Sequence, residues 1–190
     1  MQKRIFISIN LPENIKNKLV AYQEEMARSF INSNDFCPIK WTKKYNLHIT
    51  LLFIGYVELE ELVPLIERIE KVATNHGSFA VDLKSISYGP KENIPKMIWV
   101  TGNNSQQLGS LQTDLEEEML SIKKLETSFI PHITLGKINQ WQFNRINIEE
   151  RLDVFKDISL SFAVNSIDIM ETNLGKGGGQ YAVLKSILLK

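Results

Sequence analysis

The chain alternates short segments of period-two hydrophobicity with longer segments of helical periodicity. Residues 3–9 place Ile5, Ile7 and Ile9 on one face of a predicted strand. Pro12 favours the start of a helix, and apolar residues then recur every three or four positions. The same reasoning predicts further strands at 47–54, 79–88, 96–101, 129–135, 160–164, 167–171 and 181–188, helices at 58–75 and 108–119, a short helix near 148–155, and a turn at 173–179.

Two of these predicted strands contain the same four residues, His-Ile-Thr-Leu, at 48–51 and at 132–135. The chain has 3 histidines in all, so the two strings take two of them, and a glycine follows each copy. A strand and a helix precede each copy, so the order strand, helix, histidine strand occurs twice. An internal repeat of this kind indicates two similar halves.

The repeat predicts a polar pair on one face of each strand, because strand side chains alternate between faces. His48 and Thr50 point one way and Ile49 points the other, and His132 and Thr134 are arranged likewise. A single His-x-Thr is typical of an ordinary half-exposed strand, but two copies in a histidine-poor chain favour a functional site. Side by side, the strands would place two imidazoles and two hydroxyls around one small space.

Composition limits the partners and the compartment. Lysine and arginine total 22, as do aspartate and glutamate, so a broad basic surface for nucleic acid is excluded and any RNA contact is local. The single cysteine, Cys37, rules out an internal disulfide and fits a reducing compartment. No apolar run is long enough to span a membrane. We therefore expect a cytoplasmic protein without a membrane partner, and a monomer.

Two histidines on facing strands suit paired acid–base catalysis, because imidazole alone exchanges protons readily near neutral pH. One neutral ring would take a proton from the attacking group, and one imidazolium would give a proton to the leaving group. The threonine hydroxyls would hydrogen-bond a central anionic group. The arrangement fits a phosphodiester, in which one oxygen attacks and another departs.

Other chemistries find less support in the sequence. Metal hydrolases combine histidine with cysteine or carboxylate ligands at characteristic spacings, whereas threonine stands two residues after each histidine here, so we expect no metal and no cofactor. No Gly-x-Ser-x-Gly string indicates a serine hydrolase. The glycines at 177–179 lack the Lys-Ser/Thr that ends a P-loop and favour a hairpin turn.

The chain resembles the two-histidine phosphoesterases, and among them the RNA 2′,3′-cyclic phosphodiesterases, also called 2′–5′ RNA ligases. The resemblance covers most of the chain. It rests on the opening strand at 4–9 followed by Leu11-Pro12, on 41–55 with the first His-Ile-Thr-Leu, and on 129–135 with the second.

The resemblance implies an α+β fold: a two-lobed, pseudo-symmetric pair of mainly antiparallel sheets with outer helices and a central groove, forming a single domain over 1–190. It implies metal-independent opening of a 2′,3′-cyclic phosphate to a 2′-phosphate. His48 would be the proton donor to the departing 3′ oxygen, and His132 would be the proton acceptor that activates water. Thr50 and Thr134 would hold the phosphate oxygens.

The sequence departs from the family pattern at two positions. Leu52 stands where the family commonly has lysine, and Lys137 stands where it commonly has arginine. Lys137 supplies a point charge for the substrate but no bidentate fork. An RNA end and a small cyclic nucleotide both remain open as substrates. A phosphoesterase or ligase for another small nucleotide, or a nucleotide-binding module with little catalysis, are the alternatives.

Aromatic residues near the two strings are candidates for stacking on a base. Trp41 and Tyr45 are the substrate-binding candidates of this kind. For Phe53 and Phe129 we favour packing in the core.

Overall fold

The computed structural model describes residues 1–34, 36–103, 105–120, 129–175 and 178–190. Its strands are β1 (Gln2–Asn10), β2 (Ile39–Trp41), β3 (His48–Glu58), β4 (Phe79–Gly89), β5 (Met97–Gly102), β6 (His132–Ile138), β7 (Lys156–Val164), β8 (Ser166–Gly175) and β9 (Gly178–Leu188). Its α-helices are α1 (Glu13–Asn34), α2 (Leu59–Ala73), α3 (Gln106–Leu120) and α4 (Gln140–Phe143), and single 3₁₀ turns occupy Lys44–Asn46 and Ile148–Glu150. The predicted strands and the three long helices are confirmed.

All strand pairs in the described residues are antiparallel, and they form one sheet in the order β7-β4-β5-β6-β3-β1-β8-β9, with β2 beside β6. The predicted α+β class with antiparallel sheets and helices is confirmed. The two expected sheets are two halves of this continuous sheet. They meet where β3 lies beside β6, and only Ile49 and Ile133 are registered there. We call this junction the seam.

The two faces of the sheet differ sharply in polarity. Ile7, Ile9, Ile49 and Ile133 are almost completely buried on one face, and α1, α2 and α3 contact the strands. Burial of these aliphatic side chains against the helices provides the main stabilisation of the fold. The opposite face carries the four half-buried residues of the two His-x-Thr pairs. We call it the histidine face.

Helix α2 shows how local sequence fixes these elements. The Glu58 and Glu61 side chains form a capping box at its start, which satisfies free backbone N–H groups. Its stripe of Leu65, Ile69 and Ala73 is buried. His76, the third histidine, lies just beyond its end and contacts the Asp114 carboxylate of α3 at 2.8 Å, through Nε2. It therefore joins two helices instead of contributing to the histidine face.

One predicted element is wrong. The helix expected near 148–155 is reduced to a single 3₁₀ turn, and α4 forms upstream instead. The helical spacing of Ile148 and Phe155 is misleading because both side chains are exposed, so no buried stripe stabilises a helix. Helix α4 starts at Asn139, whose side chain accepts a hydrogen bond from the Gln142 N–H.

The hairpin expected at 173–179 is confirmed in its pairing. β8 and β9 are antiparallel neighbours, and Gly175 is registered with Gly178. Residues 176 and 177 of the predicted turn lie outside the described residues.

Candidate active site

Each His-x-Thr pair is followed by a β-bulge at the leucine of its own string. Thr50 is registered with Ser8 and Leu52 with Ile7, which leaves Leu51 as the extra residue on β3. On β6, Thr134 is registered with Trp99 and Gly136 with Ile98, which leaves Leu135 as the extra residue. A bulge re-aims the side chains that follow it. The repeated letters therefore specify a repeated backbone irregularity as well as a repeated polar pair.

The seam brings the two polar pairs together. Because β3 and β6 are antiparallel and Ile49 is opposite Ile133, extending the register by one residue sets His48 opposite Thr134 and His132 opposite Thr50. The histidine face therefore presents four polar side chains in a two-by-two arrangement. Each imidazole has one threonine on its own strand and one across the seam.

Both imidazoles are oriented by the same hydrogen bond. His48 Nδ1 lies 2.7 Å from the Asn46 carbonyl oxygen, and His132 Nδ1 lies 2.8 Å from the Ile130 carbonyl oxygen. A carbonyl only accepts, so Nδ1 carries the proton and donates in both rings. Each Nε2 is therefore the atom that exchanges protons on the histidine face.

The two threonines make different contacts. Thr50 Oγ1 lies 3.0 Å from His48 Nε2, so its hydroxyl donates to the neutral ring. Thr134 Oγ1 instead donates to the Met97 sulfur at 3.7 Å, which is a weak acceptor. The hydroxyl of Thr134 is consequently the one held less firmly before a substrate binds.

The pKa of His48 lies below its usual value. Burial is the main cause, because it disfavours the charged ring, and the positive charges of His132 and Lys16 act in the same direction. The bond to the Asn46 carbonyl opposes this shift in part. The neutral form of His48 is therefore favoured until an anion enters the site.

Aromatic rings enclose both imidazoles. The His48 ring lies 5.2 Å from the Phe6 ring and meets Tyr181 edge-on at 5.3 Å between centroids. The His132 ring lies 4.8 Å from Trp99, whose indole N–H donates to the Ser87 hydroxyl at 3.2 Å. Sequence reasoning missed Phe6, Tyr181 and Trp99 as neighbours of the histidines. Their positions follow from long-range strand pairing, and no local motif marks them.

The bulges decide which residues follow the polar pairs onto the histidine face. After the bulge, Phe53 is registered with Phe6, and 59% of its side chain is exposed. The expectation that Phe53 packs in the core is therefore wrong, because simple alternation from Ile49 ignores the extra residue. Leu52 takes the buried position instead, with 3% exposed. Phe129 does pack against the core, as expected.

Lys137 occupies in β6 the position that Phe53 occupies in β3. It is registered with Met97, whose sulfur contacts Thr134, so Lys137 also lies on the histidine face. Gly136, the counterpart of Leu52, faces the other way, and an added Cβ there would meet Ile39 and the Trp41 ring. One bulge thus exposes an aromatic side chain and the other exposes a cation.

The two remaining predicted binding residues have different surroundings. Tyr45 is exposed in the 3₁₀ turn that leads into β3, with the Lys43 ammonium 5.7 Å from its ring centroid. Trp41 is half-buried against Gly136 and the core, and its indole N–H is buried without a partner among the described residues. The structure brings Tyr45 to the entrance of the first histidine strand and does not bring the Trp41 ring to either histidine.

A polar row also extends from Thr50 across the first half of the sheet. Thr50 is registered with Ser8, Ser8 with Asp168, and Asp168 with Ser186, whose hydroxyl donates to the Asp168 carboxylate at 2.6 Å. Ser8 is completely buried, and its hydroxyl has no hydrogen-bond partner in the described part of the chain. The sequence itself indicates this polar row, because Ser8 in β1 and Asp168 in β8 each stand between two isoleucines.

The described ranges also bear on two other classes of site. They contain no group of three or more histidine, cysteine, aspartate or glutamate residues placed to hold a metal ion. None of the helices in those ranges has the length and hydropathy needed to cross a membrane.

Comparison with known proteins finds similarity to one family of phosphoesterases. The family model described as LigT-like phosphoesterase matches residues 9–100, which include the first His-x-Thr pair. An RNA 2′,3′-cyclic phosphodiesterase of Methanocaldococcus jannaschii is 28% identical over 184 residues, covering 96% of this chain and 98% of the relative. One of Thermotoga maritima is 25% identical, covering 95% of this chain and 92% of the relative.

Solved structures share the fold. The crystal structure of TT0787 of Thermus thermophilus superposes with a TM-score of 0.81 at 23% identity, covering 98% of this chain and 97% of that one. Escherichia coli LigT in apo form superposes with a TM-score of 0.76 at 20% identity, covering 100% of this chain and 99% of that one. LigT has also been crystallised with 3′-AMP.

Proposed function

We propose that this chain is a LigT-like, two-histidine phosphoesterase that hydrolyses 2′,3′-cyclic phosphates to 2′-phosphates without a metal ion, and the match of the family model to residues 9–100 supports this proposal. The relatives from M. jannaschii and T. maritima are RNA 2′,3′-cyclic phosphodiesterases. The observation that carries the proposal is the seam register, which sets two imidazoles and two hydroxyls opposite each other, with each Nδ1 bonded to a backbone carbonyl.

The reaction needs one proton to be taken and one to be given. His132 accepts a proton from water through Nε2, and the water oxygen forms a bond to phosphorus. The bond between phosphorus and O3′ breaks, and the Nε2 proton of His48 passes to O3′. The products are a 2′-phosphate and a free 3′-hydroxyl, with the two imidazoles in exchanged protonation states.

Thr50 and Thr134 hydrogen-bond the phosphate oxygens in this proposal. In the neutral His48 ring, Nε2 accepts a hydrogen bond from the Thr50 hydroxyl. Once Nε2 is protonated it is a donor, so the Thr50 hydroxyl becomes available to the phosphate. Thr134 leaves only a weak sulfur contact. Lys137 adds positive charge on the same face, and the exposed rings of Tyr45 and Phe53 are available to stack on a base.

Substrate binding itself prepares His48 for its role. The pKa of the free His48 is lowered by burial, and an anionic phosphate nearby opposes that effect because it stabilises the imidazolium. The acid form is active, so kcat/KM falls as pH rises through the pKa of His48 in the free enzyme. That descending limb lies below the usual histidine pKa, and the corresponding limb of kcat lies at higher pH.

The test is hydrolysis, in EDTA, of a short RNA that ends in a 2′,3′-cyclic phosphate. Wild type should form the 2′-phosphate, and His48→Ala and His132→Ala should each reduce the rate about 10²–10⁴-fold, the usual contribution of a positioned proton-transfer group. His76→Ala is the matched control, because that histidine contacts Asp114 and lies off the histidine face.

Absence of product with wild type would reject the RNA-end substrate. A panel of small 2′,3′-cyclic nucleotides would then show whether a mononucleotide is hydrolysed. If His76→Ala lost as much activity as the other two variants, the assignment of His48 and His132 would fail.

A further inference from the structure

Two lysines from distant parts of the chain lie side by side near the candidate active site. Lys40 on β2 is registered with Lys137 on β6, and both side chains are exposed. Their neighbours in the same two strands, Ile39 and Ile138, are also registered with each other and are buried. Because strand side chains alternate, both lysines therefore point to the histidine face.

The pair is unfavourable as it stands. Like charges directly opposite each other on neighbouring strands destabilise a sheet. Other lysines of the protein are neutralised, such as Lys44 by Glu13 and Lys156 by Glu25. Neither Lys40 nor Lys137 has a carboxylate partner within the described residues. Two adjacent ammonium groups without a counter-ion are a local site for an anion.

The position of the pair relates it to the reacting phosphate. Lys137 follows Thr134 by three residues, which is about 7–10 Å along a strand at ~3.3 Å per residue once the bulge is allowed for. Met97 lies between them, since its sulfur contacts Thr134 and its backbone is registered with Lys137. The backbone positions of the two lysines are therefore displaced along the strand from the threonine site, by about the spacing of neighbouring phosphates in a bound strand.

We propose that Lys40 and Lys137 form a second phosphate subsite, which binds the phosphodiester on the 5′ side of the terminal nucleotide. The inference rests on the proposed hydrolysis of 2′,3′-cyclic phosphates and names the substrate class as an RNA end. A mononucleoside 2′,3′-cyclic phosphate has no group to place in this subsite.

The chemistry of the pair fits a phosphodiester of any sequence. Lysine is a flexible point charge, so it positions a backbone phosphate without reading bases. The formal net charge of zero provides no overall attraction for a polyanion that would compete with the pair. Recognition of the upstream strand is consequently local, limited to about one phosphate.

The test compares kcat/KM for two substrates: a short RNA ending in a 2′,3′-cyclic phosphate and adenosine 2′,3′-cyclic phosphate. Wild type should prefer the RNA. Lys40→Ala should lower the RNA-to-mononucleotide ratio about five-fold, the upper range for an exposed charge pair. Lys40→Glu should lower it further, and Lys40→Arg should restore most of it.

Salt dependence gives a second readout. For single strands, each phosphate contact contributes about 0.7 to the slope of log affinity against log salt. Lys40→Ala should therefore flatten the slope of log kcat/KM for RNA by about 0.7. The matched control is Lys71→Ala, an exposed lysine near the end of α2, which should change neither ratio nor slope.

The outcomes separate the two proposals. If neither substrate is hydrolysed, the proposed function itself fails. If wild type hydrolyses both equally well, or if Lys40→Ala lowers both equally and leaves the salt slope unchanged, the subsite is rejected while the hydrolysis stands. Thermal unfolding of each variant shows that any loss is not caused by misfolding.

Discussion

The two histidine strands share a string of letters, a bulge and a backbone hydrogen bond, yet they present different surfaces. In the first, Thr50 binds the imidazole and the bulge exposes Phe53. In the second, Thr134 contacts a methionine sulfur and the bulge exposes Lys137. The shared features depend on residues inside the repeat, and the differences depend on residues outside it. A symmetric frame therefore carries two different surfaces: an exposed aromatic ring follows the first histidine, and an exposed cation follows the second.

The largest expected difference between the two histidine strands concerns proton transfer. A substrate whose leaving group needs no proton should separate the role of His48 from that of His132. With a nucleoside 4-nitrophenyl phosphodiester, the leaving group departs as an anion and needs no acid. His48→Ala should then lose less than about 10-fold in kcat/KM, whereas His132→Ala should still lose 10²–10⁴-fold. The measurement is nitrophenolate release, with wild type as reference. Equal losses in the two variants would contradict the acid and base assignment.

The residues after the bulges can be compared through stability. Leu52→Ala leaves a cavity in the core and should reduce the free energy of unfolding by about 2–5 kcal/mol. Gly136→Ala overpacks the contact with Ile39 and Trp41 and should cost about 1–3 kcal/mol. Chemical denaturation measures both.

Phe53→Ala serves as the exposed control for these two variants, and its cost should be the smallest of the three. A loss for Phe53→Ala as large as that for Leu52→Ala would mean that the bulge on β3 does not place these side chains as described. Gly136→Ala and Ile39→Ala together should cost less than the sum of the two single changes, because Ile39→Ala removes the Cγ2 methyl group that the added Cβ would meet.

The smallest expected difference between the two histidine strands concerns Thr50 and Thr134. Thr50→Val and Thr134→Val should each lower kcat/KM about ten-fold through one lost hydrogen bond to an anion. Thr50 donates to neutral His48 and so favours the neutral ring. Its loss should raise the pKa of His48 and move the descending limb of the pH profile to higher pH. Thr134→Val should leave that limb in place, and an equal shift in both variants would refute the asymmetry.

The frame of the site was predictable from the sequence because its signals are local. Period-two alternation places His48 with Thr50, and the repeat of the string pairs them with His132 and Thr134. The order of strands and helices also indicates two halves. These features depend on residues only a few positions apart, so they can be recognised in the sequence without knowledge of the fold.

The rest of the site depends on residues far apart in the chain. The bulge at Leu51 exists because of its pairing with β1, and it reverses the exposure expected for Phe53. Lys40 lies in the three-residue strand β2, outside the predicted strands, and only its pairing with Lys137 on β6 indicates a function. Hydrophobic periodicity along the chain does not reveal which strands pair or in which register.

The carbonyl bonds at Nδ1 make the two imidazoles natural spectroscopic reporters. With Nδ1–H held by Asn46 in one ring and Ile130 in the other, tautomer exchange is suppressed and protonation is confined to Nε2. We expect these hydrogen-bonded ring protons to be detectable by NMR. Since the chain has only 3 histidines, each proton can be assigned by single substitution. The protonation state of each half can thus be observed directly while a nucleotide binds.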